Sequence, residues 1–456
     1  MAVICYNPLG TKKKEMYKQM ENQLPKTKKF DYTWVIIILC FLSIFVSMGL
    51  CAGGKTMYLT AVTDALGIPR GAFSLNDTFR YVTTTIVNLF FGTLMLRFGA
   101  KKLMCAGFIC LIAFALICSV ATSLIAFYVA GVLLGLGLAW TGTPMVSAVI
   151  NRWCTKNKGA ITGAILAANG VGGAAAIQIL SPIIFEEGNP FGYRNSYKLV
   201  ALILAITLVI ILLFFRNSPK GSTAEPVAAG KKHKVRGAGW VGMEFSEVKK
   251  KKYFYVTVFC MFLIGISLQG ISGMTAPHMY DMGLSTGYVA TLLSVSGILL
   301  TCTKFICGFM FDRKGLKLTM NICLLCAFVA LAALVCVNNT PFGRTVAAVR
   351  IVFGAIALPL ETVMLPLFAS DLFGNKSFEK NMGLFSSASY AGFALGAPAA
   401  NLFYDIFGNY NLPFIICAVL MLFVTIAMQF VLKSAHKDRD IILASLKEKG
   451  KETVNA

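Results

Sequence analysis

The stretch Gly297-Ile-Leu-Leu300-Thr-Cys-Thr-Lys304-Phe-Ile-Cys-Gly308-Phe-Met-Phe-Asp312-Arg313-Lys-Gly315-Leu-Lys317 decides how the chain is read. It closes an apolar helix that begins near Gly287, and it carries a lysine inside the apolar run. An ammonium in a bilayer-spanning helix costs roughly 2.5–3.5 kcal/mol on insertion scales, so Lys304 calls for a partner, and the default partner is an anion. Gly308, one turn later, permits close approach of a neighbouring helix, and the Asp-Arg-x-Gly-x-Lys tail is a tight, charged turn at the water boundary.

The whole chain fits a membrane setting. Of its 456 residues 57% are hydrophobic and only 14% charged, with a mean hydropathy of +0.72, whereas a soluble protein of this size needs far more surface charge. Fourteen cysteines are scattered mostly through apolar runs without two C-x-x-C pairs, and there are three histidines, so neither a zinc site nor a disulfide framework is indicated. The first 30 or so residues are too long and too basic for a signal n-region, so the first span is expected in the mature protein.

Residues 1–33 read as a basic, solvated tail. Apolar runs follow at 34–62, 73–96, 102–121, 124–150, 159–185 and 196–215, each long enough to cross a hydrocarbon core. Residues 216–252, with Pro219, Pro226 and the run Lys249-Lys-Lys-Lys252, have the composition of a linker at a membrane surface. Six more runs at 253–276, 286–311, 317–337, 342–372, 381–404 and 411–432 precede a charged tail, 433–456. The net charge of +22 raises nucleic acid as a partner, but its placement argues otherwise. About 34 of the 42 Lys and Arg fall in the tails and in the loops after even-numbered spans, and about four in the opposite loops. That is positive-inside bias, which places both termini in the cytoplasm and leaves anionic lipid, not nucleic acid, as the partner of the basic face.

Several residues are candidates for chemistry. Lys55, about 21 residues beyond Trp34, belongs to the outer third of the membrane, either as a snorkelling lysine or as an entry-side anion site. Glu361 and Arg350 share span ten, and eleven residues at 100° each put them on nearly one face, roughly 16 Å apart. Glu361, between Pro359 and Pro366, is then a counter-ion for a lysine, a proton carrier, or half of a structural pair with Arg350 or Lys304. Asp77 and Arg80, three apart near the outer end of span two, read as satisfying each other. His278 beside Pro277 reads as a solvated cap. Tyr58, Trp140 and Tyr390 offer aromatic walls to a ligand, or pack the bundle. Glycines in spans one, five and eleven suit close packing and, together, helices that rock against one another.

The Gly308–Lys317 tail resembles the loop signature found once in each half of the major facilitator superfamily. Its counterpart in the first half is Gly92-Thr-Leu94-Met-Leu96-Arg97-Phe-Gly99-Ala-Lys101-Lys102, with Leu96 where that family has an aspartate. Asp31-Tyr-Thr-Trp34 ahead of Lys55 is similar to the opening of the monocarboxylate porters. Gly135-Leu-Gly-Leu-Ala139-Trp140-Thr141-Gly-Thr143-Pro144 resembles that group's span-four run. Lys304 four residues before Gly308 matches its basic residue in span eight, and Leu395-Gly396-Ala-Pro398 and Asp405-Ile-Phe-Gly408-Asn-Tyr410 match its eleventh span and the loop after it. Arg152-Trp153, Lys158-Gly159 and Gly163 resemble the oxalate/formate antiporter branch. The resemblance implies a carrier of small carboxylates, with Lys304 at the substrate-binding cation and Lys55 at the first-helix lysine. Leu300 stands where proton-coupled members have an aspartate, and span eleven lacks the second cation of the oxalate carrier.

The expectation is an all-α polytopic membrane protein of 12 transmembrane helices in two pseudo-symmetric six-helix bundles, a monomer in the plasma membrane. It would move a small monocarboxylate or short dicarboxylate, with a proton or a counter-transported anion, by alternating access. The alternative is an exporter of drug-like or other non-carboxylate solutes. The expected substrate-binding set is Lys304, Lys55, Tyr58, Trp140, Thr141 and Thr143; the expected gating and coupling set is Asp312, Arg313, Glu361, Arg350 and Arg97. Asp312 is expected to meet backbone donors of the opposite half, as Leu96 cannot. No cofactor, metal, nucleotide-binding signature or catalytic set is read in the sequence.

Overall fold

The computed structural model describes residues 32–217 and 240–452, apart from 54, 155 and 241. The basic tail and most of the linker therefore lie outside the described residues. Those described form helices and no strands.

Ten helical segments are long and apolar enough to cross a membrane. Thr33–Cys51, Phe91–Val120, Leu124–Trp153, Lys158–Ile184 and Gly192–Phe214 lie in the first half, and Lys252–Gly270, Gly287–Lys314, Leu316–Val335, Pro341–Thr362 and Asn411–Ala444 in the second. The helices Arg70–Leu89 and Phe378–Phe407 take the second and eleventh places and complete twelve. They are less apolar for a positional reason: Arg80, Tyr81 and Thr84 on one, and Ser386, Ser389 and Tyr390 on the other, line a cavity at the centre of the molecule.

Phe91–Val120 is not one straight helix. Gly99, at φ 77° and ψ 162°, ends span two and begins span three. Gly315, at φ 83° and ψ 176°, does the same between spans eight and nine. A side chain at either position would strain the reversal, so the repeated loop places glycine at the same turn in both halves.

Three kinds of helix break face the molecular centre. Spans one and seven each contain a π-helical stretch, Phe45–Cys51 and Ile266–Gly270. Span four breaks at Gly142, between Leu124–Thr141 and Thr143–Trp153. Span ten is divided into Pro341–Ala357, Pro359–Thr362 and Met364–Phe373. Such breaks release backbone groups from the regular ladder, which membrane helices tolerate where protein or a cavity supplies partners.

The halves meet at the end that carries the basic loops. Spans five and eight cross through glycine: a Cβ at Gly308 would run into the carbonyl of Gly159, and one at Gly163 into the carbonyl of Lys304. Spans two and eleven approach through Gly92 and Gly383, and Ser387 Oγ donates to the Thr85 carbonyl at 2.8 Å. Toward the opposite end, Lys55–Leu66 and Thr275–Asp281 pack on helices of their own halves. Gly173, Gly273, Gly287 and Gly297 face open space there. The halves are thus joined at the basic end.

Candidate functional site

A cavity of about 310 Å³ lies between the halves, bounded by Met48, Arg80, Tyr81, Thr143 and Asn169 on one side and by Gln269, Lys304, Glu361, Ser389 and Tyr390 on the other, among others. Lys304 is ten residues before the end of its helix at Lys314, about 15 Å of rise, deeper than the apolar run alone implied. It is 3% exposed, and its Nζ donates to the Leu166 carbonyl of span five at 3.4 Å. An ammonium has three donors, and this one long bond uses a single donor.

Glu361 is buried at the break in span ten. Its Oε1 accepts from the Gln269 backbone N–H at 2.9 Å, a donor presented by the π-helical stretch of span seven. Lys304 and Glu361 line the same cavity. Neither forms an ion pair within 4 Å among the described residues.

Arg80 brings a second cation to the same cavity. One guanidinium nitrogen lies 3.4 Å from Asp77 Oδ1, Cζ sits 4.3 Å over the Tyr81 ring, and the buried Nε has no partner. The side chain also borders a smaller cavity of about 40 Å³ inside the first half, beside Tyr58 and Tyr197.

Of the residues singled out in the sequence, the structure brings Lys304, Glu361, Thr143 and Tyr390 to the central cavity. Arg80 joins them there, whereas several others lie elsewhere. Tyr58 is held in the first half, its hydroxyl 2.6 Å from Ser196 Oγ and its ring stacked on Tyr197 at 4.0 Å. Thr141 is fully buried, with Oγ1 bonded back to the Gly137 carbonyl at 2.9 Å. Trp140 and Thr141 belong to the face of span four that packs on Gly107 of span three. Arg350 borders a different, smaller cavity from the one that Glu361 lines, and it donates to Thr275 Oγ1 at 2.8 Å. His278 is a buried residue and not a solvated cap, with Nε2 at 2.8 Å from the Leu334 carbonyl and the ring against Phe414. Lys55 opens the helix Lys55–Leu66, and its side chain lies outside the described residues.

At the basic end, Asp312 crosses to the other half and accepts from Gly159 N at 3.0 Å and Ala160 N at 2.7 Å, in the first turn of span five. Its counterpart Leu96 is 60% exposed. On that side the halves are joined by Arg152 and Glu379, 2.8 Å apart, with Glu379 in the first turn of span eleven. Arg313 lies over the Phe309 ring at 4.3 Å and Arg97 near Phe98 at 5.4 Å, each a contact within its own helix region and not across the interface.

This arrangement has known counterparts. Residues 37–343 match the sequence profile of the Major Facilitator Superfamily. The chain belongs to that superfamily. An uncharacterized MFS-type transporter, YcxA of Bacillus subtilis (strain 168), is 24% identical over 396 residues, covering 85% of this chain and 92% of the relative. The sialic acid transporter NanX of Escherichia coli (strain K12) is 25% identical over 275 residues, 59% of this chain and 63% of NanX. Monocarboxylate transporter 12 of Xenopus laevis is 25% identical over 329 residues, 68% and 69% of the two chains. Among solved structures, a variant of the E. coli fucose:proton symporter FucP superimposes with a TM-score of 0.65 at 14% identity, covering 88% of this chain and 99% of FucP. The human organic anion transporter MFSD10 does so at 0.63 and 13%, covering 87% and 99%. The protein is thus a multi-pass membrane transporter of the Major Facilitator Superfamily and not an enzyme.

Within this superfamily member, sequence reasoning missed Arg80, Asn169 and Gln269 as cavity residues. Asp77 three residues before Arg80 made the arginine look neutralised. The available signal was the polarity of the whole helix Arg70–Leu89, high for a span that faces only lipid or apolar neighbours.

Proposed function

We propose that this transporter moves a small organic anion through alternating access, with Lys304 as the cation that receives the substrate carboxylate. The observation that carries the reading is the state of that ammonium: buried in the wall of a cavity between the halves, it makes one 3.4 Å bond to a backbone carbonyl. A carboxylate entering the cavity supplies the charge and acceptors that the protein does not. Monocarboxylate transporter 12 and the sialic acid transporter NanX, by their names, handle carboxylic acids, which supports the same class.

Glu361, buried in the wall of the same cavity, can carry a proton, which offers a route to proton coupling even with Leu300 on the facing helix. With the basic end in the cytoplasm of a plasma-membrane monomer, the described conformation is joined at its inner end, and rocking at the five–eight and two–eleven crossings exposes Lys304 to the inside. Asp312 and the Arg152–Glu379 pair then hold the inner end shut. Counterflow of a panel of labelled carboxylates in proteoliposomes, with and without a pH gradient, tests the reading. Uptake of at least one carboxylate is expected, and transport confined to neutral or cationic solutes overturns it.

A further inference from the structure

The two cations of the cavity come from opposite halves. Lys304 projects from span eight and Arg80 from span two, and Tyr390 of span eleven lines the same cavity. Arg80 is 9% exposed. A guanidinium has five N–H donors. The bond to Asp77 is long at 3.4 Å, and Nε has no partner. A buried cation with unspent donors on a cavity wall is a place where an acceptor is missing. Tyr81, Tyr390 and Phe393 cluster beside it, with ring centroids 5.1–6.3 Å apart, and form an apolar strip.

The size of the cavity points the same way. At about 30 Å³ per water, 310 Å³ corresponds to roughly ten waters, whereas a two- or three-carbon acid displaces only a few. A carboxylate on Lys304 alone leaves most of that volume, the aromatic strip and the arginine unused.

We propose that Arg80 is a second anion-binding residue, so that the substrate is an elongated organic anion with acceptors at both ends. Its carboxylate meets Lys304, its second acceptor, carboxylate in the simplest case, meets Arg80, and its body lies along Tyr81, Tyr390 and Phe393. This rests on the reading of Lys304 given above. The absence of a cation between Met382 and Tyr404 of span eleven does not oppose it, because the second cation stands on span two instead. Such a ligand ties the first half to the second, which a single-ended acid does not, so it favours closure over the cavity.

Two five-carbon acids test this on the full-length transporter: valerate, with one carboxylate, and glutarate, with two. Binding is measured by calorimetry and thermal stability by melting, for the wild type, Arg80→Gln, Arg80→Lys and Asp77→Asn. The wild type is expected to bind glutarate at least tenfold more tightly than valerate. Arg80→Gln should lose roughly ten- to hundred-fold in glutarate affinity with little change for valerate, and Arg80→Lys should recover part of the loss. Equal affinities of the wild type for the two acids overturn the proposal. So does an Arg80→Gln protein that binds glutarate normally. A structural Arg80 predicts that Arg80→Gln and Asp77→Asn melt earlier by similar amounts and weaken both acids equally, which also overturns it. Lys304→Gln separates the two claims: if it binds both acids as the wild type does, the reading of Lys304 fails independently of Arg80.

Discussion

Lys304 is expensive when the cavity is empty, and its cost is relieved when a carboxylate docks, so part of the substrate's binding energy comes from the protein's own unspent charge. Arginine at the same place keeps the charge and offers a planar fork of donors where lysine offers a point charge. Lys304→Arg should therefore retain measurable uptake with an altered preference among carboxylates, read from the same substrate panel; complete loss would show that the compact ammonium, not the charge, is what the site requires. This residue was legible in the sequence because a charge stands out inside an apolar run, and Glu361 was legible for the same reason. Arg80 was hidden by an acid three residues away, since a chemical inventory counts a pair as closed while the geometry leaves donors unspent. Trp140 and Thr141 show the converse limit: a shared motif fixes position along a helix but not which side faces the cavity.

At the scale of elements, the two halves repeat the same loop with different chemistry. Asp312 accepts two N–H groups at the start of span five, an interaction worth about 1–2 kcal/mol where it is partly buried. Leu96 is exposed and offers nothing comparable. Asp312→Asn should shift the protein toward opening at the basic end. Spin labels at Lys102 and Lys317, both exposed at that end on opposite halves, should then report longer distances. Leu96→Ala should change the distribution much less, and equal effects from the two would remove the asymmetry. The glycine turns and crossings of these helices were readable as small residues at regular places, but their partners were not, because which glycine meets which carbonyl depends on the docking of the halves. The break in span ten was also signalled by Pro359, whereas the separation of Arg350 and Glu361 into different cavities was not, because a count of residues along one helix says nothing of which neighbours each meets.

For the molecule as a whole, all twelve spans were read from apolar runs; ten of the described helices are long and apolar enough to cross a membrane, and the polarity of the other two is what lines the cavity. Sidedness rests on the basic loops. A reporter at Asn339 should read external and one within residues 220–239 cytoplasmic, and the reverse result would turn the joined end of the bundle outward.

The central claim, that Lys304 receives the substrate carboxylate, is tested most directly by counterflow of a labelled carboxylate through purified Lys304→Gln protein, with melting temperature measured on the same sample. A folded protein with the wild-type melting temperature or higher is expected, with a roughly ten- to hundred-fold loss of apparent affinity that Glu361→Gln does not restore. Normal counterflow by well-folded Lys304→Gln protein, or a loss of stability that Glu361→Gln repairs together with transport, would contradict it.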